Sequence, residues 1–233
     1  MSDKAMSRET MDAREKMLKT ALSSDAEISV DCIKRGPDEL DCNTDEAFAA
    51  AEMVKESIRA EKEGYDAIVI YCFSDVGIDA IRENVRIPVI GPGETSLAAA
   101  SMICNRFTVL TSESVNIPRT YRRLMKNAIA REKMVSVRAL DIPIGELRTK
   151  PEATENYLRA VCKKAVQEDK ADGIILGCLG MAGYGENLEK EFPLKVIDPA
   201  FLAVAYAELC VRVGMKHISA MYPVFTNNSH VDL

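Results

Sequence analysis

Apolar and polar positions along this chain change period repeatedly, which predicts helices alternating with strands. Met6 to Leu22 has helical spacing, and Glu27 to Ile33 has the short alternation of a strand. Asp45 to Lys62 places Phe48, Met53, Val54 and Ile58 on one helical face and ends at Gly64, a C-cap residue. Ala67 to Tyr71 is a continuous apolar run of the kind seen in parallel strands covered on both faces. After Cys72 the pattern predicts a short helix over Gly77 to Glu83 and a strand at Val89 to Ile90. A Gly91-Pro92-Gly93 turn then leads to a helix over Thr95 to Cys104 and a strand at Phe107 to Thr111. The second half predicts helices over Glu152 to Glu168, Glu186 to Glu191 and Ala200 to Val213, with strands at Ile174 to Leu176 and Val196 to Ile197. Phe225 to Leu233 reads as a frayed tail. Such alternation is the grammar of an α/β fold built on parallel sheet.

Within that grammar lies a specific internal repeat. Tyr65-Asp66-Ala67-Ile68-Val69-Ile70-Tyr71-Cys72 lies without a gap over Ala171-Asp172-Gly173-Ile174-Ile175-Leu176-Gly177-Cys178, an offset of 106 residues (178 − 72) that also sets Gly77 on Gly183. With one inserted residue, Val89-Ile90-Gly91-Pro92 falls on Val196-Ile197-Asp198-Pro199. Two copies of one unit follow, the first cysteine lying within 65–111 and the second within 171–213. Each cysteine stands just past a strand, where open α/β sheets bind ligands.

Composition narrows the partners. The chain has 233 residues, 47% hydrophobic and 28% charged, which describes an ordinary globule. Its apolar runs are far shorter than the roughly 20 residues of a spanning helix, so no membrane partner is expected. Met1 to Arg14 has no apolar signal-peptide core, and a cytoplasmic location is expected. A formal charge of −6 argues against nucleic acid. The basic run Arg119, Arg122, Arg123, Lys126, Arg131 and Lys133 is read as a solvated helix face. Seven cysteines without C-x-x-C spacing indicate neither a zinc site nor a redox motif, and no glycine pattern indicates a dinucleotide.

Taken singly, Cys72 or Cys178 is most simply a small buried hydrophobe. Their duplication suggests a different use. Inverting a C–H centre needs one group to remove the proton from one face and another to deliver a proton to the opposite face. Cysteine suits both tasks, because its ordinary pKa of about 8.5 can be moved toward neutrality by local positive potential. Cys32, Cys42, Cys104, Cys162 and Cys210 have no matched partner and read as packing or surface thiols. Asp66 and Asp172 precede their strands at the far end and read as structural. Asp198-Pro199 reads as a turn, and Glu94 as a helix-dipole acid. Thr111 and Ser112 follow a strand, open to hydrogen-bonding a substrate oxygen or to capping. His217 and His230, the only histidines, give poor support to a Ser-His-Asp site.

Cys72-Phe73-Ser74-Asp75-Val76-Gly77 resembles the C-F-G-D-P-G motif, and Gly177-Cys178-Leu179-Gly180-Met181-Ala182-Gly183 resembles G-C-A-G-M-A-G, of hydantoin racemases in the aspartate/glutamate/hydantoin racemase family. The resemblance runs from about Met6 to Tyr222 and includes Phe107 to Thr111 and Arg138 to Pro143. Amino-acid racemases of the family carry C-N-T and G-C-T-H instead. The resemblance implies one unit over 1–233 of two intertwined pseudosymmetric lobes, each a parallel sheet flanked by helices, with the active site in the cleft. It further implies Cys72 and Cys178 as the two catalytic bases, with Phe73, Ser74, Thr111, Leu179 and Gly180 around the substrate. No cofactor is implied, and a homo-oligomer is. The small-molecule substrate would be a 5-substituted hydantoin or an allantoin-like cyclic ureide. Alternatives are an amino-acid racemase, a related cysteine isomerase or decarboxylase, and a non-catalytic ligand binder.

The chain departs from the family pattern at several points. Ser74 stands for a usual glycine and Leu179 for a usual alanine, which reshapes the pocket beside each cysteine; Leu179 is expected to project toward the substrate. Family members open with a strand and an Asn-Pro loop, whereas this chain opens Met1-Ser2-Asp3-Lys4. The expectation here is a further strand encoded upstream.

Overall fold

Ser7, whose hydroxyl accepts the Thr10 N–H at 3.2 Å, starts the first helix, α1 (Arg8–Lys19), in a computed structural model that describes residues 6–223. α2 (Asn43–Glu63) starts in a capping box in which Cys42 Sγ accepts the Asp45 N–H and the Asp45 carboxylate accepts the Cys42 N–H. It ends at Gly64, whose φ of 94° is the left-handed conformation expected of a C-cap glycine. Then come β1 (Ile68–Val69), α3 (Ile78–Asn84) and β2 (Val89–Ile90). The chain divides into two compact units, and all of these belong to the first, which includes residues up to Gly91 and those from Ala203 on.

β1 and β2 form a two-stranded parallel sheet. Val54, Ile70, Ile81, Val85 and Val89 form its core. Ala203, Ala207 and Cys210 pack on Ile90 in a second cluster. The strand expected over Glu27 to Ile33 does not form as such; only Ile33 makes a bridge. Its backbone is engaged elsewhere, since Val30 N–H donates to Glu15 Oε1 of α1 at 2.8 Å. This stretch and β1 border a cavity of about 250 Å³ lined by Ile28, Val30, Met53, Ile68 and Tyr71 among others.

The second unit runs from Pro92 to Leu202. Its elements in order are α4 (Pro92–Ile103), β3 (Phe107–Thr111), α5 (Ile117–Leu124), α6 (Ala128–Lys133), β4 (Met134–Ala139), α7 (Glu146–Thr149), α8 (Pro151–Lys164), β5 (Gly173–Leu176), α9 (Gly185–Glu191) and β6 (Lys195–Ile197). α10 (Pro199–Val213) follows and continues into the first unit. The sheet is wholly parallel, in the order β4-β3-β5-β6. β3 and β5 are buried along their whole length, as the unbroken apolar run of β5 predicts; β3 also buries Thr108 and Thr111. Leu110, Leu158, Cys162, Ile174, Leu176 and Leu188 lie at the centre of the core.

The basic run lies on α5 and α6 save for Lys126 between them, and part of it serves the backbone: Lys133 Nζ caps α4 through the Ser101 and Cys104 carbonyls at 2.7 and 2.8 Å. Among the described residues no helix is long and apolar enough to cross a membrane. The tail from Phe225 and His230 lie outside the described residues.

Candidate active site

Strand register carries the sequence repeat into the backbone. Ile68 pairs with Val89 and Val69 with Ile90 in the first unit; Ile174 pairs with Val196 and Ile175 with Ile197 in the second. Each copy therefore aligns its cysteine strand identically against the strand that follows.

Past the strand the two copies close the same turn hydrogen bond. The Cys72 carbonyl accepts the Asp75 N–H at 3.0 Å, and the Cys178 carbonyl accepts the Met181 N–H at 2.9 Å. Each turn then reaches a glycine in the left-handed region, Gly77 at φ 69° and Gly183 at φ 92°, where a side chain would be strained. Both thiols are half-buried. Cys72 packs against the clusters of Ile70 and Val76, and Cys178 against that of Leu176 and Met181. Cys104, Cys162 and Cys210 are buried instead, in keeping with a packing role, and Cys42 is the exposed helix cap described above.

Four of the five residues expected around a substrate also fall in counterpart pairs. Directly after each cysteine stands one large side chain, Phe73 or Leu179, each only 4% exposed. Ser74 and Gly180, both half-buried, come next. A Cβ on Gly180 would lie 3.5 Å from Cys178 Sγ and 2.9 Å from Leu147 Cδ1, so a glycine here leaves space beside the thiol. Thr111, 5% exposed, ends β3 in the same unit as Cys178, and its carbonyl accepts the Leu140 N–H at 3.0 Å. Cys72, Phe73 and Ser74 thus belong to one unit, and Thr111, Cys178, Leu179 and Gly180 to the other.

Asp172 is structural, as expected: its carboxylate accepts the Asn105 and Arg106 N–H groups at 2.9 to 3.1 Å. Glu94 sits exposed in the first turn of α4. His217 Nε2 lies 3.1 Å from the Val89 nitrogen, the Val89 carbonyl oxygen and Arg82 Nε, which ties it to β2. Asp198 does more than the turn read from its sequence. Its Oδ2 accepts the Gly183 N–H at 2.7 Å and its Oδ1 the Ala200 N–H at 3.1 Å, joining the cysteine turn to the start of α10. Burial pushes its carboxyl up, against the pull of these donors and of the Arg148 charge. Arg148 also binds the turn, donating to the Ala182 carbonyl at 2.8 Å. The signal in the sequence was the repeat itself, which sets Asp198 on Gly91 and so marks one copy as carrying an acid that the other lacks.

A family model described as Asp/Glu/Hydantoin racemase matches residues 7–207. The chain is 35% identical to a hydantoin racemase of Pseudomonas sp. (strain NS671) over 85% of its length and 79% of that protein's. It is 32% identical to a hydantoin racemase of Paenarthrobacter aurescens, over 92% and 89% of the two chains. Among solved structures, allantoin racemase from Klebsiella pneumoniae superposes with a TM-score of 0.87 at 26% identity, over 93% of this chain and 89% of that one.

Proposed function

The chain belongs to the Asp/Glu/hydantoin racemase family and is by that membership a racemase, and we propose that it inverts the carbon next to a carbonyl in a 5-substituted hydantoin or an allantoin-like cyclic ureide. One observation carries the reading. Two copies of a strand and turn with the same register and the same turn hydrogen bond each present a half-buried cysteine at the same position. A single catalytic acid or base gives no reason for the second copy to hold a thiol.

In the proposed cycle one cysteine, as thiolate, takes the proton from the stereocentre and becomes a thiol. The C–H electron pair moves into the adjacent carbonyl as an enolate. The other cysteine, as thiol, delivers its proton to the opposite face and becomes a thiolate. Charge and protons balance, and the two residues exchange roles when the reaction runs in reverse. Both proton carriers are side chains of this chain, so the scheme uses no cofactor. Phe73, Ser74, Leu179 and Gly180 flank the thiols and Thr111 ends the strand beside β5; these are the residues proposed to contact the ring.

The test is racemisation of each enantiomer of a 5-monosubstituted hydantoin in deuterium oxide. Inverted product should carry deuterium at the stereocentre. Cys72→Ala and Cys178→Ala should each abolish inversion while leaving circular dichroism unchanged. Substantial inversion by either variant, or inverted product without deuterium, would sink the two-thiol scheme.

A further inference from the structure

The repeat is not symmetric in its acids, and the asymmetry resolves in space. In the second unit Asp198 follows β6 and turns its carboxylate back onto Gly183 at the end of the Cys178 turn, 2.7 Å from the N–H. Its counterpart in the first unit is Gly91, with no side chain. A Cβ on Gly91 would lie 2.6 Å from Asp75 Cγ and 2.7 Å from Asp75 Oδ1. The volume used by the residue-198 side chain in one copy is therefore filled in the other by the carboxylate of Asp75.

Asp75 comes from a different part of the chain. It lies within the Cys72 turn, and its own N–H makes that turn's bond to the Cys72 carbonyl. It adopts φ 53°, in the left-handed region that, glycine aside, Asp and Asn enter more readily than other residues. Its counterpart in the second unit is Met181, which is wholly buried in the core. In each copy one carboxylate thus lies between the cysteine turn and the residue after the following strand, supplied from after the strand in one case and from the turn in the other.

We propose that Asp198 and Asp75 are equivalent positioning residues, each fixing the turn that carries the cysteine of its own unit and so governing proton transfer by that thiol and not by the other. The inference rests on the two-thiol reading above and assigns a residue to each half of it. It explains why residue 91 is a glycine, since a Cβ there would fall 2.6 Å from Asp75 Cγ and displace its carboxylate.

The experiment measures, in the full chain, solvent-deuterium exchange from each enantiomer of a 5-monosubstituted hydantoin separately. Cys72→Ser and Cys178→Ser serve as references for which enantiomer each thiol deprotonates. Asp198→Ala should slow exchange of the Cys178-dependent enantiomer about 10- to 100-fold, the scale of a misplaced reacting group, and leave the other within about twofold. Asp198→Asn, which keeps an acceptor for the Gly183 N–H, should recover most of that loss and also serves if the alanine variant does not fold. Asp75→Gly should show the mirror-image loss.

Gly91→Asp alone collides with Asp75 and should be slow, whereas Asp75→Gly/Gly91→Asp moves the carboxylate to the position that Asp198 uses and should be faster than either single change. Equal losses for both enantiomers in a folded Asp198 variant, or a double variant no faster than the singles, would overturn the proposal. If the two Cys→Ser variants leave exchange of both enantiomers unchanged, the two-thiol reading has failed and this inference falls with it.

Discussion

Arg138 holds both oxygens of the Asp169 carboxylate, Nε to Oδ2 and Nη2 to Oδ1, at 2.7 Å each. The pair ties β4 at the sheet edge to the end of the turn that follows α8, and Ser136 Oγ adds a bond to Asp169 Oδ2 at 2.6 Å. Bidentate geometry and partial burial set it apart from the surface ion pairs that contribute little.

Burial alone would push the Asp169 carboxyl up, but the bonds from Arg138, Ser136 and Thr108 outweigh it and hold the group below the ordinary carboxylate range. A depressed folded value stabilises the fold above the unfolded pKa of about 3.9, and the contribution is lost as pH falls through the folded value. Arg138→Ala should therefore lower the unfolding free energy by about 1–3 kcal/mol at pH 7. The deficit should shrink as pH falls below about 4. Urea midpoints of both proteins across pH 3 to 7 check this; a deficit independent of pH would assign the loss to packing.

Burial also sorts the seven thiols. It pushes Cys162 up to about 12 and raises Cys104 and Cys210 as well. Iodoacetamide at pH 8 should modify exposed Cys42 and the half-buried Cys32, Cys72 and Cys178 in the native protein. Cys104, Cys162 and Cys210 should react only after denaturation. Peptide mass mapping reads the order, and a hydantoin ligand should slow modification of Cys72 and Cys178 alone.

Leu179→Ala should act twice. Removing a side chain that is 4% exposed lowers stability by about 2–5 kcal/mol. Because Leu179 adjoins Cys178, the same change should ease entry of bulky 5-substituents by about 1–3 kcal/mol in relative kcat/KM. A stability loss with an unchanged substrate profile would place this side chain wholly in the interior.

The elements that carry the site were legible because they are apolar and repeated. Ile68 and Val69, like Ile174 and Ile175, sit in unbroken hydrophobic runs, and the two matched cysteines mark where those runs end. β4 left no such trace: every residue of Met134–Ala139 is half-buried, and Ser136 and Arg138 are spent on Asp169. Glu27 to Ile33 misled for the opposite reason, having a strand's alternation but sending Val30 N–H to a side chain of α1. Asp75 was hidden because its counterpart is Met181. Only the space over Gly91 relates its carboxylate to that of Asp198.

Gly177 and Gly180 flank Cys178 and Leu179, yet alanine at the two positions should have separate consequences. A Cβ at Gly177 would fall 2.4 Å from the Leu110 carbonyl oxygen and 2.8 Å from Val109 Cγ1. Leu110 belongs to β3, paired on both sides, so its backbone cannot retreat without losing ladder bonds. Gly177→Ala should therefore cost about 3 kcal/mol or more, at the upper end for overpacking. At Gly180 the close contact is Leu147 Cδ1 at 2.9 Å, the end of a side chain that can rotate, and Cys178 Sγ at 3.5 Å is an ordinary contact. Gly180→Ala should cost only about 1 kcal/mol. Its methyl group would nevertheless rest against the thiol and should reduce kcat about tenfold or more by shifting the reacting groups. Urea midpoints and racemisation rates measured on both variants make the comparison. If Gly180→Ala keeps full turnover, the space beside Cys178 at residue 180 is not the face that meets substrate, and Gly180 leaves the proposed pocket.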